Sequence, residues 1–393
     1  MIDATERKLR LGVAGLGRAF ALMLPTFAGD PRVTLVAAAD SRAEARARFA
    51  ADFSARGYAS VEELCADPAV EAVYVATPHQ YHARHAVLAA RHGKHLLVEK
   101  PMALSLEECS AIIAAAQAAG VHLVVGHSHS FDAPVARLRA LIASGAFGTV
   151  RMINAVNYTD YLYRPRRPEE LDTAQGGGAV FNQAAHQVDI VRLVGGGRVT
   201  SVRAVIGAWD AARPTEGAYA ALLTFADGAF ASLTYGGYGH FDSDELQGWI
   251  GEMGQQKSPY AGPPRPRFAS AQEEAAFKNA HNYGGPDYRP IAARAPAHQH
   301  FGALLASCER ADLRALPAGV MIYQDGTARL DALPPPSVPR AEVIDELYGA
   351  VVRGEAPLHD GAWAMATLEV LLAILRSARE ARDVALAHQV GLP

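Results

Sequence analysis

Over the first 130 residues, short apolar strand candidates alternate with stretches of helical periodicity. The strand candidates are LRLGVAG, VTLVAAAD, AVYVATP, KHLLVEKP and VHLVVGHS. Strands that are apolar on both faces are typical of a parallel sheet with helices packed on either side. The pattern predicts an α/β fold with a doubly wound parallel sheet in residues 1–130.

The pattern changes in residues 131–393. A helix over 133–144 leads into the alternating strand TVRMINAVNY, and further strand candidates are VTSVRAVIGAW, YAALLTFADGAFASLTYGGY and ELQGWIGEM. Long alternating strands with an Asp-Gly hairpin signal predict an α+β domain with a large open, mainly antiparallel sheet. The Pro-rich stretch 254–299 predicts a long loop, either disordered or functional. Two helices follow it, and whether they pack back on the first domain stays open.

Charge and composition exclude several classes of protein. The chain has 393 residues, a formal net charge of −4 and three widely spaced cysteines. This argues against nucleic-acid binding and against a disulfide framework. The charged N-terminus lacks the apolar stretch of a signal peptide, and the apolar segment 111–126 is interrupted and too short to span a bilayer. We expect a cytoplasmic protein with no membrane partner.

The stretch GVAGLGRAF lies where the first strand turns into a helix. Gly15 and Gly17 are placed for close approach of a dinucleotide pyrophosphate to the helix N-terminus, and a plain strand-to-helix turn is the alternative. Phe20 occupies the third glycine position, which predicts looser packing of helix on strand. These residues predict a Rossmann domain.

Asp40 ends the second strand, where an acid binds the ribose hydroxyls of NAD. Arg42 follows two residues later and is suited to pair with the 2′-phosphate of NADP. NAD is therefore favoured and NADP stays open. Asp40 is equally placed to cap the next helix.

Three glycines at 176–178 precede an amphipathic stretch that carries Asn182, His186 and Asp189. Their spacing of i, i+4 and i+7 places the three side chains on one stripe of an α-helix. A histidine close to its intrinsic pKa is the natural base for an alcohol proton at neutral pH. The alternatives are a satisfied core histidine and a surface aspartate.

Three features of the sequence together resemble the Gfo/Idh/MocA family of oxidoreductases. They are the glycine turn, the long stretch ATPHQYHARHAVLAARHGKHLLVEKP and the pattern GGG-x-x-x-N-x-x-x-H-x-x-D. The matching positions of the long stretch are Thr77, Pro78, His82, Gly93, Lys94, Glu99, Lys100 and Pro101. The resemblance covers essentially the whole chain. It implies an NAD(P)-dependent dehydrogenase that forms homodimers or homotetramers through the open sheet face.

The resemblance also implies roles for residues. Lys100 contacts the substrate hydroxyl and the nicotinamide ribose, and its bond to Pro101 is cis as in many relatives. His186 accepts the substrate proton. Asn182 stands where many relatives have an aspartate; an amide cannot relay a proton, so it holds substrate by hydrogen bonds. The implied cofactor contacts are Gly15, Leu16, Gly17, Arg18, Asp40, Arg42, Thr77, Pro78, His79, His82, Glu99 and Lys100.

Other histidines and arginines are candidates for the substrate pocket. His127 and His129 end a strand near the expected cleft, and the absence of cysteine or H-E-x-x-H partners predicts no metal. The loop NYTDYLYRPRRPEE carries Tyr158, Arg164 and Arg166 and suits an anionic ring, although a solvated basic loop is the alternative.

A narrower resemblance, through HQHFG and the Pro-rich insert, points to the phthalate cis-dihydrodiol dehydrogenase branch. It implies oxidation of a dihydrodiol of an aromatic dicarboxylate to the catechol. The alternatives are a sugar or cyclitol dehydrogenase and a non-catalytic dinucleotide-binding sensor or scaffold.

Overall fold

Apolar strands flanked by helices form the first sheet. The computed structural model describes residues 7–260, 265–292 and 294–392. The strands of this sheet are β1 (Leu9–Ala14), β2 (Val33–Ala39), β3 (Arg56–Tyr58), β4 (Ala72–Val75), β5 (His95–Val98) and β6 (Leu123–Val125). All their pairings are parallel, in the order β3-β2-β1-β4-β5-β6. The doubly wound parallel sheet is confirmed, and its order reverses between β1 and β4.

Helices cover the connections of this sheet. They are α1 (Arg18–Gly29), α2 (Ala43–Phe53), α3 (Val61–Ala66), α4 (His82–Arg91) and α5 (Leu106–Ala119). The start of α5 follows from its sequence, because the Ser105 hydroxyl accepts a hydrogen bond from the Glu108 backbone N–H.

The second sheet is large and mainly antiparallel, as predicted. Its strands are β7 (Val150–Tyr158), β8 (Val199–Gly207), β9 (Ala218–Phe225), β10 (Phe230–Gly236), β11 (Ala303–Cys308), β12 (Asp312–Leu316), β13 (Gly319–Gln324), β14 (Thr327–Ala332) and β15 (Val384–Ala385). Their order is β14-β13-β12-β11-β7-β10-β9-β8-β15, and β7 pairs with β10 in parallel. Asp227 and Gly228 make the predicted hairpin turn between β9 and β10.

The remaining helices include one irregular element. They are α6 (Ala133–Ala143), α7 (Ala185–Val194), α8 (Ala271–His281), α9 (Ala341–Tyr348) and α10 (Gly361–Glu380), with π-helical turns at Val180–Ala184 and Gly349–Arg353. By length and composition α10 could cross a membrane, but 61% of its most apolar window is buried inside the protein. Such burial is typical of a core helix.

Three predictions in the second half were wrong or incomplete. The expected strand at 245–253 does not form. Ser243–Gln247 is a 3-10 helix, and the left-handed conformations of Gly248 and Trp249 interrupt an extended run. The predicted loop 254–299 contains α8. The four strands β11–β14 were not predicted, since their runs are short and partly polar.

The chain divides into two compact units that differ from the predicted contiguous domains. The first unit comprises Met1–His127, Gln272–Arg294 and Val338–Met365, and the second comprises Ser128–Ala271, Ala295–Ser337 and Ala366–Pro393. Two stretches assigned by sequence to the second domain therefore lie in the first unit. Buried contacts explain this: Thr26 donates to the Pro339 carbonyl, and Tyr283 donates to Asp52.

Candidate functional site

The glycine turn after β1 has the geometry of a pyrophosphate cradle. Gly15 has a φ of +97°, and a Cβ there would lie 2.6 Å from the Ala76 carbonyl oxygen. Gly17 precedes α1, and a Cβ on it would meet no atom within 4 Å. Glycine is thus required at 15 by the fold, whereas 17 leaves space at a helix N-terminus, where an anion is stabilised.

The acid at the end of β2 is held against this turn. The Leu16 backbone N–H donates to Asp40 Oδ2 at 2.8 Å, and the Arg42 backbone N–H donates to Oδ1 at 2.9 Å. Arg42 folds back, so that its Nε donates to Asp40 Oδ1 at 3.1 Å. Asp40 therefore lies next to the glycine turn, where a ribose hydroxyl would be bound.

The Phe20 position departs from the prediction of loose packing. Phe20 is fully buried, and its ring contacts those of Phe49 and Tyr283, with centroids 5.9 and 5.1 Å away. An aromatic cluster replaces the close approach that glycine would give. The prediction of loosened packing was wrong because a residue far along the chain fills the space.

Two loops at the ends of β4 and β5 are joined by a buried histidine. His82 is fully buried, with Nε2 2.7 Å from the Thr77 carbonyl and Nδ1 2.9 Å from the Pro101 carbonyl. Burial lowers the pKa of His82, and a neutral ring donates to one carbonyl at a time. We interpret His82 as a positioning residue rather than as the cofactor contact that was predicted.

The EKP stretch places its acid inside and its lysine at the edge. Glu99 is buried and accepts a hydrogen bond from the Tyr74 hydroxyl, and burial raises the pKa of its carboxyl. Lys100 follows it with a partly exposed side chain, and the Lys100–Pro101 peptide bond is cis. Glu99 thus anchors the turn that presents Lys100.

The other predicted first-unit contacts lie at these same strand ends. Pro78 and half-buried His79 begin the 3-10 turn after β4, Arg18 opens α1 with an exposed side chain, and His127 is buried after β6. Carboxyl ends of parallel strands meet at one edge of a sheet, where a dinucleotide binds. The glycine turn, the α1 N-terminus and Asp40 fit NAD.

In the second unit, the helix that carries His186 begins with a π-helical turn rather than as a regular α-helix. Asn182 lies in this turn, and its amide donates to the carbonyls of Gly178 at 2.9 Å and Gly176 at 3.1 Å. The expected single α-helical stripe was wrong there, because the wider turn changes the angle between Asn182 and His186. Such turns occur frequently at functional sites.

His186 lies among rings. It is buried, and its ring centroid is 4.8 Å from that of His129 and 4.9 Å from that of Phe301. The Tyr235 ring stacks on Phe301 at 6.3 Å. This aromatic surrounding suits a flat cyclic ligand.

His129 forms an ion pair that was not predicted from the sequence. Its Nδ1 is 2.6 Å from Asp132 Oδ2, and its Nε2 is 3.5 Å from Glu252. Burial lowers the pKa of His129, but Asp132 and Glu252 outweigh it, so that the pKa lies above its ordinary value. The spacing H-x-x-D at 129–132 was the available signal for Asp132; nothing local pointed to Glu252 or Phe301.

Buried polar groups hold helix α7 behind His186. Asp189 accepts hydrogen bonds from the hydroxyls of Ser130 and Thr367, so the alternative of a surface carboxylate is excluded. Arg192 is fully buried and donates to Thr367, Gln389 and the Gly197 carbonyl. Burial lowers the pKa of Arg192 to about 10.

The basic loop before the glycines is largely neutralised by its own acids. Arg164 is exposed and its Nε donates to Asp160 at 2.8 Å. Arg166 stacks on the Tyr161 ring at 3.9 Å and donates to the Tyr161 carbonyl at 2.6 Å. Tyr158 packs against Phe241 at 5.7 Å. Binding of a substrate carboxylate by these arginines stays a prediction.

Comparison with known proteins agrees with both halves of this description. Residues 9–127 match the model described as "Oxidoreductase family, NAD-binding Rossmann fold", and residues 135–250 match the one described as "GFO/IDH/MocA C-terminal domain". The chain belongs to the Gfo/Idh/MocA oxidoreductase family. The predictions of the family and of an NAD-binding oxidoreductase are confirmed.

Individual relatives cover nearly the whole of this family member. A 1-carboxy-3-chloro-3,4-dihydroxycyclohexa-1,5-diene dehydrogenase from Comamonas testosteroni is 49% identical over 94% of this chain and 95% of its own length. A crystal structure of a protein assigned as a dehydrogenase from Bordetella bronchiseptica RB50 is 42% identical, covers 96% of this chain and 100% of its own, and has a TM-score of 0.88.

A more distant structure shares the fold. The WlbA dehydrogenase from Bordetella pertussis, solved with NADH and UDP-GlcNAcA, is 23% identical with a TM-score of 0.68, and covers 97% of this chain and 99% of its own.

Proposed function

We propose that this oxidoreductase oxidises a carboxylated cyclohexadiene dihydrodiol to the corresponding catechol, with a phthalate-type dicarboxylate as the specific expectation. The observation that carries the proposal is the ring cluster at His186, in which His129 and Phe301 contact the imidazole and Tyr235 stacks on Phe301. Flat ring faces with a titratable group among them fit an unsaturated ring better than a polyhydroxylated sugar, which needs many hydrogen-bond partners.

The relative from Comamonas testosteroni supports this substrate class. Its name describes a ring with one carboxylate and two hydroxyls, and the identity of 49% extends over 94% of the chain. Exposed Arg164 is the group we assign to the substrate carboxylate, because an arginine fork binds a carboxylate through two parallel N–H bonds.

Each proposed catalytic residue acts on the reacting hydroxyl or its ring. NAD, when bound, supplies the hydride acceptor. His186 accepts the hydroxyl proton, and the Lys100 ammonium donates to the oxygen as negative charge develops on it. Asn182 keeps the substrate in register by hydrogen bonds, and donation from its amide to the Gly176 and Gly178 carbonyls fixes the position of its side chain.

The first oxidation product of a dihydrodiol is a hydroxy-dienone, and it becomes the catechol when the adjacent carbinol carbon loses its proton and the new carbonyl oxygen gains one. The gain of aromatic stabilisation favours the overall reaction. The chain therefore needs one base for the hydroxyl proton and a pocket that accepts a planar product.

A substrate panel tests the proposal. NADH formation is measured with dihydrodiols of phthalate, of benzoate and of unsubstituted benzene, and with inositols and sugars. We expect kcat/KM to fall in the order dicarboxylate, monocarboxylate, uncharged ring. Higher kcat/KM with an inositol or a sugar would instead establish the cyclitol or sugar dehydrogenase, and NADH binding without oxidation of any alcohol would support a non-catalytic sensor.

We also propose that the protein is cytoplasmic and forms a homodimer or homotetramer, and an exposed apolar patch on the second sheet supports the oligomer. Val205, Leu222 and Phe230 are 61%, 47% and 41% exposed on neighbouring strands. A monomer rarely exposes contiguous apolar surface of this kind. Leu222→Asp is expected to lower the molar mass measured by light scattering after gel filtration; a monomeric parent protein would contradict the assignment.

A further inference from the structure

Part of the Pro-rich insert belongs to the nucleotide-binding unit, although it lies more than 200 residues from the glycine turn. Tyr283 is fully buried in this unit. Its hydroxyl donates to Asp52 on α2 at 2.7 Å, and its ring meets Phe20 on α1 edge-on at 5.1 Å. The insert is therefore anchored to both helices that flank the adenosine end of a Rossmann site.

The insert approaches α2 too closely for any side chain at the next position. Gly284 has a φ of +80°, and a Cβ there would lie 2.5 Å from the Ala45 Cα. The contact is with backbone atoms, so it is not relieved by rotation of a side chain. The path of residues 283 and 284 is thus fixed relative to the start of α2, which Arg42 precedes.

The fixed path of the insert restrains the side chain of Arg42. Its guanidinium donates to the Tyr283 carbonyl at 3.2 Å, to the Leu16 carbonyl at 2.8 Å and to both Asp40 oxygens at 3.1 and 3.4 Å. Four of its five N–H groups are engaged in this way. Its side chain is only 19% exposed.

We propose that the insert makes this enzyme selective for NAD over NADP, because it holds Arg42, a nearby cation suited to a 2′-phosphate, in a folded-back conformation. A 2′-phosphate would meet the Asp40 carboxylate, and Arg42 would have to leave the Tyr283 and Leu16 carbonyls to compensate that charge. Phe20 has a role in this arrangement: its ring, in place of the third motif glycine, is a docking surface for Tyr283. The inference rests on the NAD site, and is independent of the alcohol substrate.

Equilibrium binding to the coenzyme-free protein tests this proposal without turnover. NADH and NADPH are titrated separately and followed by nicotinamide fluorescence. The parent protein is expected to bind NADH more than about 100-fold tighter. Gly284→Ala should reduce the ratio of NADH affinity to NADPH affinity by about tenfold, chiefly through tighter NADPH binding, because the displaced insert frees Arg42. Arg42→Ala added to Gly284→Ala should abolish that gain.

A matched control is Gly120→Ala, since Gly120 also has a positive φ in this unit but faces open space. It should leave the ratio unchanged. An unchanged ratio in Gly284→Ala, or a gain that persists without Arg42, overturns the proposal. If Gly284→Ala does not fold, Asp52→Asn weakens the Tyr283 anchor and is read by the same criteria. Because no alcohol is present, failure of the dihydrodiol proposal would leave this result intact.

Discussion

The nucleotide site and the surroundings of His186 are built in different ways. In the first unit, backbone geometry prepares the site: a glycine with φ +97°, a helix N-terminus and a carboxylate held by the Leu16 N–H. In the second unit, side chains from separate elements surround His186, among them His129 and Phe301. A site formed by backbone atoms is sensitive to substitution at only a few positions, but there it tolerates almost none. A site formed by side chains can change its ligand through single substitutions.

Removal of the proposed base should give the largest difference between an effect on turnover and an effect on coenzyme binding. His186→Ala is expected to lower kcat by about 10³-fold, within the range for loss of an acid–base group, with NADH affinity unchanged. Turnover and NADH titration measure the two effects. His298→Ala is the control, because His298 is buried in the same unit against the Pro334 carbonyl. A parallel loss of NADH affinity in His186→Ala would contradict the separation.

Lys100 tests whether the first unit contributes to chemistry as well as to coenzyme binding. Lys100→Ala is expected to lower kcat by about 10²- to 10³-fold, because it removes a cation that stabilises developing negative charge. NADH affinity should change by less than about threefold. Near-parent turnover would remove Lys100 from the mechanism.

The control is the other motif lysine. Lys94 is buried and its ammonium donates to the carbonyls of Asp67 and Val70. Lys94→Ala should therefore destabilise the protein by about 1–3 kcal/mol in urea unfolding, with turnover per folded molecule preserved.

Gly15→Ala addresses the backbone-built site directly. The added Cβ would lie 2.6 Å from the Ala76 carbonyl oxygen, so the turn must shift. NADH affinity should fall by about 100-fold in a fluorescence titration. Gly93→Ala introduces the same change at a positive φ with no atom within 4 Å and should bind NADH normally. Equal affinities in the two variants would show that the turn is not rigid.

Asp132→Asn gives a pH-dependent effect in the second unit. The pKa of His129 is higher in the folded protein than in the unfolded chain, where it is about 6.5, so protonated His129 stabilises the fold. This stabilisation is complete below the pKa of the unfolded chain and is lost as pH rises through the pKa of the folded protein. The variant should lower the pKa of folded His129. Its loss of unfolding free energy relative to the parent protein, measured with urea, should be largest near pH 5.5 and shrink towards pH 8.5. NMR titration of the His129 ring checks the pKa itself.

The control for this effect is exposed Asp312 in the same unit, for which Asp312→Asn should show no pH-dependent deficit. A deficit of Asp132→Asn that is constant with pH would mean that Asp132 acts by packing alone.

The smallest effect is expected in the basic loop. Arg164→Ala should raise KM for a carboxylated dihydrodiol by about threefold with kcat unchanged, since the guanidinium is exposed and already paired with Asp160. Arg151→Ala is the control, because Arg151 is similarly exposed and paired with Glu309. If both variants keep the parent KM, the substrate carboxylate is bound elsewhere.

Sequence was sufficient where one residue decides the local structure. The parallel, doubly wound class of the first sheet follows from apolar runs that alternate with helical stretches, and Gly15 and Asp40 lie at the ends of such runs. Sequence was insufficient where partners are distant: Tyr283 contacts Phe20, and Phe301 contacts His186, across more than 100 residues. No local periodicity encodes such pairs.

The π-helical turn shows the same limit at short range. The i, i+4 spacing of Asn182 and His186 was correct for a regular helix, but capping of the Gly176 and Gly178 carbonyls by the Asn182 amide accompanies a wider turn. The branch resemblance carried by HQHFG did mark the position of Phe301, although not its contact.

The buried Arg192 has a practical consequence for protein engineering. Its guanidinium joins α7 to residues 389 and 390, by contacts to the Gln389 side chain and the Val390 carbonyl. A chimera that grafts the His186 helix onto another scaffold without that distal segment would strand a cation in an apolar interior, at a cost of about 3–5 kcal/mol. Helix and segment should be transplanted as one cassette.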